Sequence, residues 1–350
     1  MADLRTAVGG LELDHPLVLA SGPLSWNGEA IVRAHRAGAA AVVTKTIGRR
    51  AATQPVPHLV RTGGGVLNAE RWSDLDSIRW IEREIPLAKD AGVPLVASVG
   101  LEPADVEALA SALEGAGADA LEVVSYDEAA LPALVDAAVR RVRIPVFAKL
   151  SANGRDLVGT ARACVERGAS ALTVIDSVGP ALRIDARTRR PLLGATAGWL
   201  SGPAILPIAL HAVAAVRQAV TVPVIGTGGV EDVDAAVEML LAGACAVGVC
   251  SGALVHGLSL FGRVRDGLSD CLDGLGLLSV RATVGAARWD ETPGARMRFL
   301  EAACVHCGIC VRLCPYEARP SPDVVGEACR GCGLCVSVCP AGALVWEGRE

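Results

Sequence analysis

Two cysteine runs near the C-terminus constrain this chain more than any other feature: Cys304-x-x-Cys307-x-x-Cys310-x-x-x-Cys314-Pro315 and Cys329-x-x-Cys332-x-x-Cys335-x-x-x-Cys339-Pro340. A C-x2-C-x2-C turn can wrap three thiolates onto one face of a [4Fe–4S] cubane, and in two-cluster chains the fourth cysteine of each run ligates the other cluster. Cys304, Cys307, Cys310 and Cys339 are therefore expected to hold one [4Fe–4S] cluster, and Cys329, Cys332, Cys335 and Cys314 the second. Structural zinc fits less well, because zinc sites pair C-x2-C motifs across a longer loop, whereas here a third cysteine follows at the same interval and a proline closes each run. A secreted disulfide framework would need a signal peptide, and no apolar segment follows Met1-Ala-Asp-Leu-Arg5. A cytoplasmic location is the expectation. The remaining cysteines, Cys164, Cys245, Cys250 and Cys271, stand in apolar surroundings and read by default as small core residues.

The residues ahead of these runs suit one α/β barrel, which takes about 250 residues plus insertions. Apolar Val/Ile/Leu/Ala runs alternate with amphipathic, helix-length segments, the pattern of β-α units around a parallel sheet. Eight strands are expected: Pro16–Ala20, Ala40–Thr44, Pro94–Val99, Ala118–Val124, Pro145–Leu150, Ala171–Ile175, Pro223–Ile225 and Ala244–Val249. Their unbroken apolar character fits burial on both faces. Helices are expected over Ala104–Glu114, Leu131–Arg141, Asp156–Arg167, Ala204–Ala219 and Asp232–Ala242, with an eighth and an extra helix between Leu254 and Trp289. Gly38, Gly117, Gly168 and Gly243 read as left-handed C-caps. The fold expected is thus a TIM (β/α)8 barrel over residues 1–294, joined through Asp290-Glu-Thr-Pro-Gly to a small α+β iron–sulfur domain over residues 295–350. No basic stripe appears and aromatics make up 3% of the chain, which argues against nucleic acid. The apolar run Met239 to Val255 falls short of the roughly 20 residues of a membrane span and reads as a buried strand entering a helix.

Barrels of this kind do their chemistry at the C-terminal ends of the strands. Those positions hold Ala20-Ser21-Gly22, Lys45-Thr46, Ser125-Tyr126-Asp127, Lys149, Asp176-Ser177, Gly226-Thr-Gly228-Gly229 and Cys250-Ser251-Gly252. The last two loops occupy the usual phosphate position, where glycines let backbone N–H groups approach an anion and the helix after Gly229 is expected to add its dipole. A lysine at the end of a buried strand needs a counter-charge. A flavin ring, anionic along one edge when reduced, would supply it for Lys149.

The run Gly198-Trp-Leu-Ser201-Gly202-Pro-Ala-Ile-Leu-Pro-Ile-Ala-Leu210 resembles the sixth-loop signature of class 1 dihydroorotate dehydrogenases and dihydropyrimidine dehydrogenase, close to GG-[LV]-SG-x-AI-x-P-[IV]-AL. Pro16–Gly22, Val42–Thr46, Gly65–Asn68, Pro145–Leu150 and Gly226–Gly229 match the same family in the same order, so the resemblance spans almost the whole chain. With its two-cluster ferredoxin tail, the chain is most similar to the FMN and iron–sulfur part of dihydropyrimidine dehydrogenase. The resemblance implies FMN held by Ala20, Ser21, Lys45, Thr46, Asn68, Lys149, Ser177, Ser201, Gly202, Gly228, Gly229, Cys250 and Ser251. It also implies an external electron partner, a ferredoxin or a reductase subunit carrying NAD(P)H and FAD, and a homodimer as one assembly.

The same comparison marks departures. Where the family reads N-[LIV]-S-C-P-[NH] after the fourth strand, with an asparagine on the pyrimidine and a cysteine moving a proton, this chain reads Val123-Val-Ser-Tyr126-Asp-Glu128. The asparagine expected after strand six is Asp176. A site built to hydrogen-bond a pyrimidine discriminates through those amides, so their loss argues against orotate and uracil. Tyr126, Asn68, Ser125 and Asp176 are the candidate catalytic residues. The expected function is FMN- and iron–sulfur-dependent transfer of hydride and electrons across a C–C or C–N double bond of a small-molecule substrate. The alternative is an electron-transfer subunit without substrate chemistry of its own, which a side-chain-filled cleft would favour. Asp127 and Glu128, with Asp176, are candidates to meet a cationic group, and His58 is a candidate loop histidine.

Overall fold

The structure is a computed structural model that describes residues 1–289 and 296–347. The chain divides into two compact units, Met1–Ala287 and Arg288–Glu350. The expected joint, Asp290-Glu-Thr-Pro-Gly294, lies outside the described residues.

In the first unit eight parallel strands close into a barrel: β1 Leu17–Leu19, β2 Ala41–Val43, β3 Leu95–Gly100, β4 Ala120–Val124, β5 Val146–Leu150, β6 Ala171–Val174, β7 Val224–Thr227 and β8 Ala246–Val249. Each pairs with the next in sequence, and β8 pairs with β1 through Gly248 opposite Val18. All eight expected strands are present, within a few residues of their expected limits. The unbroken apolar runs have a structural cause. Leu17, Leu19, Val42, Leu95, Ala97, Leu121 and Val123 face the helices, while Val18, Val43, Val96, Ala120, Phe147, Ala171, Ile225 and Ala246 fill the barrel floor. The helices Pro103–Gly115, Leu131–Val139, Leu157–Glu166, Leu206–Ala219 and Val233–Ala242 cover the outside. Gly117, Gly168 and Gly243 take positive φ where three of these helices give way to the next strand, and Gly38 does the same after the helix Gly28–Arg36. The segment after β8 forms three helices, Ser251–His256, Leu260–Gly274 and Val280–Thr283. No helix among the described residues is long and apolar enough to cross a membrane.

Additions not expected from the sequence include a small hairpin of Ile184–Asp185 with Arg190–Pro191 and two larger ones. A hairpin, Thr6–Val8 with Leu11–Leu13, packs Val8 and Leu13 against the barrel floor beside Phe147. A four-stranded antiparallel sheet, in the order Val178–Ala181, Gly198–Ser201, Gly65–Asn68 and Leu59–Thr62, gathers two loop excursions and pairs Trp199 with Asn68.

The second unit is an internal repeat. The strands Arg296–Phe299 and Leu344–Glu347 pair antiparallel, and the short helices Ile309–Arg312 and Leu334–Ser337 each start at a left-handed glycine, Gly308 or Gly333. Equivalent backbone N–H groups reach equivalent sulfurs: His306 to Cys304 and Gly331 to Cys329, each at 3.4 Å, and Ala318 to Cys314 at 3.3 Å and Ala343 to Cys339 at 3.2 Å.

Candidate active site and cysteine cavities

Side-chain alternation along the strands sets what the barrel mouth contains. Above the apolar floor the inward positions turn polar, with Lys45, Ser98, Glu122, Lys149, Thr173 and Thr227 all buried. Glu122 accepts a hydrogen bond from the Thr173 hydroxyl at 2.8 Å, and burial pushes its carboxyl above the usual range. Lys149 sits 3.2 Å from Asp176. Burial alone would favour the neutral amine, but Asp176 and then Glu122 outweigh it and hold Lys149 charged. Lys45 is buried rather than snorkelling, and its ammonium pairs with the carboxylate of Glu70. His58 Nε2 stands 3.9 Å from the same carboxylate, and the Asn68 side-chain oxygen accepts the Glu70 N–H at 2.6 Å.

Two adjoining lobes open over these groups, each of about 590 Å³. The first is lined by Ala20, Ser21, Asn68, Lys149, Asp176, Ser177, Ser201, Thr227, Gly228, Gly229, Cys250 and Ser251. The second shares Ser21, Gly22, Asn68, Lys149, Asp176 and Ser177, and adds Lys45, Thr46, Glu70, Arg71, Trp72, Leu101, Val124, Tyr126 and Trp199. Gly202 is not among the lining residues of either lobe; its carbonyl backs Gly229, where an added Cβ would stand 2.9 Å away.

Glycines let the wall of the first lobe pack closely. A Cβ on Gly229, at φ 87°, would come within 2.7 Å of Leu206 Cβ, and one on Gly248 within 2.2 Å of the Thr227 hydroxyl. That hydroxyl is buried with no hydrogen-bond partner. A buried unpaired hydroxyl facing a cleft invites a ligand oxygen. The expected contribution of the helix after Gly229 does not hold: its first turn is capped by the Asp232 carboxylate, which accepts the Ala235 N–H at 2.9 Å. The helix that begins at this lobe is the short one starting at Ser251.

Tyr126 stands in the second lobe, stacked on Trp199. Although 61% exposed in the open cleft, its phenol is pushed up to about 12, by partial burial first and then by Asp176, against the opposing charge of Lys149. Three expectations for this loop need correction. Val123 faces the helices, fully buried, and Val124 is the strand residue that lines the lobe, because successive side chains alternate across the barrel wall. Ser125 is buried outside both linings, its hydroxyl accepting the Asp127 N–H at 3.0 Å. Asp127 and Glu128 are also absent from the linings and tie down loop backbone, accepting the N–H groups of Ala129 and Arg155. The carboxylates that do line the cleft are Asp176 and Glu70. Leu101, whose φ of 79° is costly for a branched side chain, also lines it and was missed from sequence, as were Glu70, Arg71, Trp72 and Trp199.

In the second unit the eight cysteines surround two cavities. Cys304, Cys307, Cys310 and Cys339 line one of about 330 Å³. Cys314, Cys329, Cys332 and Cys335 line another of about 880 Å³. No group of three or more His, Cys, Asp or Glu among the described residues converges as a site for a single metal ion. Four thiols around a void suit a cubane, and each set is the crosswise one that the spacing required.

Comparison with known proteins agrees with both halves. The sequence profile of the family described as dihydroorotate dehydrogenase matches residues 117–272, and that of the 4Fe-4S binding domain matches twice, at residues 297–319 and 322–345. The chain is 35% identical over 302 residues to the dihydroorotate dehydrogenase B (NAD(+)) catalytic subunit of Methanothermobacter thermautotrophicus, covering 81% of this chain and 98% of the relative. The corresponding subunit of Thermoplasma acidophilum is 34% identical, with 82% and 99% covered. That of Desulforudis audaxviator is 37% identical, with 80% and 96% covered. The fifth of this chain left unmatched is about the size of the second unit.

Proposed function

This chain belongs to the dihydroorotate dehydrogenase family, and from that premise we propose that it is an FMN- and iron–sulfur-dependent oxidoreductase that reduces a C–C or C–N double bond of a small molecule other than orotate or uracil. One observation carries the reading: the cleft stays open where Tyr126, Trp199 and Asn68 line it next to the proposed flavin contacts, although the amides and cysteine of the family's pyrimidine site are absent. Bound FMN supplies hydride exchange with the substrate and single-electron exchange with the iron–sulfur centres. Thr227, Gly228, Gly229, Cys250 and Ser251 fit its phosphate end, and the unpaired Thr227 hydroxyl supports that fit. Ala20, Ser21, Lys45, Thr46, Asn68, Lys149, Ser177 and Ser201 fit the remainder, with Gly202 behind them.

Tyr126 keeps its proton at neutral pH, so its role is that of a donor to substrate rather than a base, and its proton loss needs assistance because the raised pKa weakens it as an acid. Asn68, Asp176 and Glu70 offer the polar contacts, against an aromatic wall of Tyr126, Trp199 and Trp72. The external electron partner would be a ferredoxin or a reductase subunit that handles NAD(P)H and FAD, in keeping with relatives described as catalytic subunits.

The test is anaerobic reduction of the purified protein, followed by a screen of unsaturated small molecules while flavin and cluster absorbance recover. A substrate should reoxidise the wild type rapidly and Tyr126→Phe about 10²–10⁴-fold more slowly. If no small molecule reoxidises the flavin while a partner protein does, the chain is a relay subunit and the enzymatic reading is wrong.

A further inference from the structure

The two cysteine cavities are built alike but are not charged alike. The lining of the first, Phe299, Val305, Ile309, Pro322 and Leu344 among its residues, contains no charged side chain. Arg312 approaches from outside, donating to the Cys307 carbonyl at 2.9 Å, but is exposed, where water screens its charge. The second cavity is lined by two arginines, Arg296, which is exposed, and Arg319, which is 4% exposed. Its guanidinium donates to the Pro322 carbonyl and, at 2.7 Å, to the Met297 sulfur. Cys335 Sγ lies 3.6 Å from that same sulfur, so one methionine sulfur separates the cation from a cluster thiol. Asp323 acts on Arg319 through space, but no carboxylate among the described residues forms an ion pair with it.

A buried guanidinium cannot shed its proton and is costly without a counter-charge. Four cysteines ligate metal as thiolates, so the group they hold is anionic. We infer that Arg319 is the fixed counter-charge of the cluster held by Cys314, Cys329, Cys332 and Cys335, and that it makes this cluster the more readily reduced of the two. Reduction adds negative charge, and a nearby buried cation stabilises the reduced form. Cluster potentials respond to net charge, to hydrogen bonds at the sulfurs and to solvent exposure, and Arg319 supplies the first: it lines the second cavity itself and reaches the first only through the Pro322 carbonyl. This requires no assignment of the substrate.

Potentiometric titration of the full chain, followed by electron paramagnetic resonance, tests it. The wild type should show two one-electron waves. Arg319→Gln should make reduction of the more positive one at least tenfold less favourable, a fall of about 59 mV, with the other wave unmoved and the iron content intact. Arg319→Lys, which keeps the charge, should retain most of the wild-type potential. Loss of one cluster in Arg319→Gln alone, with Arg319→Lys near wild type, also supports a charge role. Unmoved waves, equal movement of both, or loss of iron in both variants alike would overturn it.

Discussion

Tyr126 lies face to face with Trp199, ring centroids 5.4 Å apart and planes 8° from parallel. One comes from the loop after β4 and the other from the strand Gly198–Ser201, and both line the second lobe. The stacked pair, worth about 0.5–1.5 kcal/mol beyond its buried area, forms an aromatic wall there.

Trp199→Gly should therefore leave flavin content unchanged and raise KM for whichever oxidant the screen identifies, while changing kcat little. Steady-state kinetics beside flavin quantitation decide it. An unchanged KM would mean that the indole faces away from bound substrate.

The phenol of Tyr126 gives a second expectation. Its pKa is raised from an ordinary 10 to about 12, so whatever it contributes to stability is complete below pH 10 and is lost as pH climbs from 10 towards 12. Absorbance titration of phenolate should show a late component near pH 12 that Tyr126→Phe removes. Wild-type and variant curves that superimpose would contradict this environment.

The Lys45–Glu70 pair is buried on both sides. Glu70→Gln strands the ammonium and should destabilise the barrel by about 3–5 kcal/mol. Lys45→Met combined with Glu70→Gln should recover much of that, because removing both charges relieves the stranded one. Chemical denaturation of the flavin-free proteins reads both effects, and equal losses in the single and double variants would show that a stranded ammonium is not what costs the stability.

Thr227→Val should separate ligand binding from stability. The unpaired hydroxyl costs the flavin-free protein about 1–3 kcal/mol of desolvation. The variant should therefore melt no lower than wild type without FMN, yet lower than wild type with saturating FMN. Thermal melts in the two conditions suffice, and a loss confined to the flavin-free form would contradict the lobe's proposed occupant.

The barrel was legible because strands buried on both faces write continuous apolar runs, and its lysines because a charge interrupts such a run at its end. The crosswise thiols were legible because the cysteine interval leaves each run one ligand short. Trp199 and Glu70 were not, since they reach the cleft on excursions joined by pairings such as Leu67 with Leu200, more than a hundred residues apart. Val123 was misplaced because spacing against a motif does not reveal which side of a wall a residue occupies; the alternation that sets Glu122 and Val124 inward does.

The exchange of Cys314 and Cys339 between the two halves of the repeat makes the inorganic cores into rivets. A protease that severed the peptide anywhere between Pro315 and Ala328 would leave two fragments still bolted together at both cores and zipped along the strands Arg296–Phe299 and Leu344–Glu347.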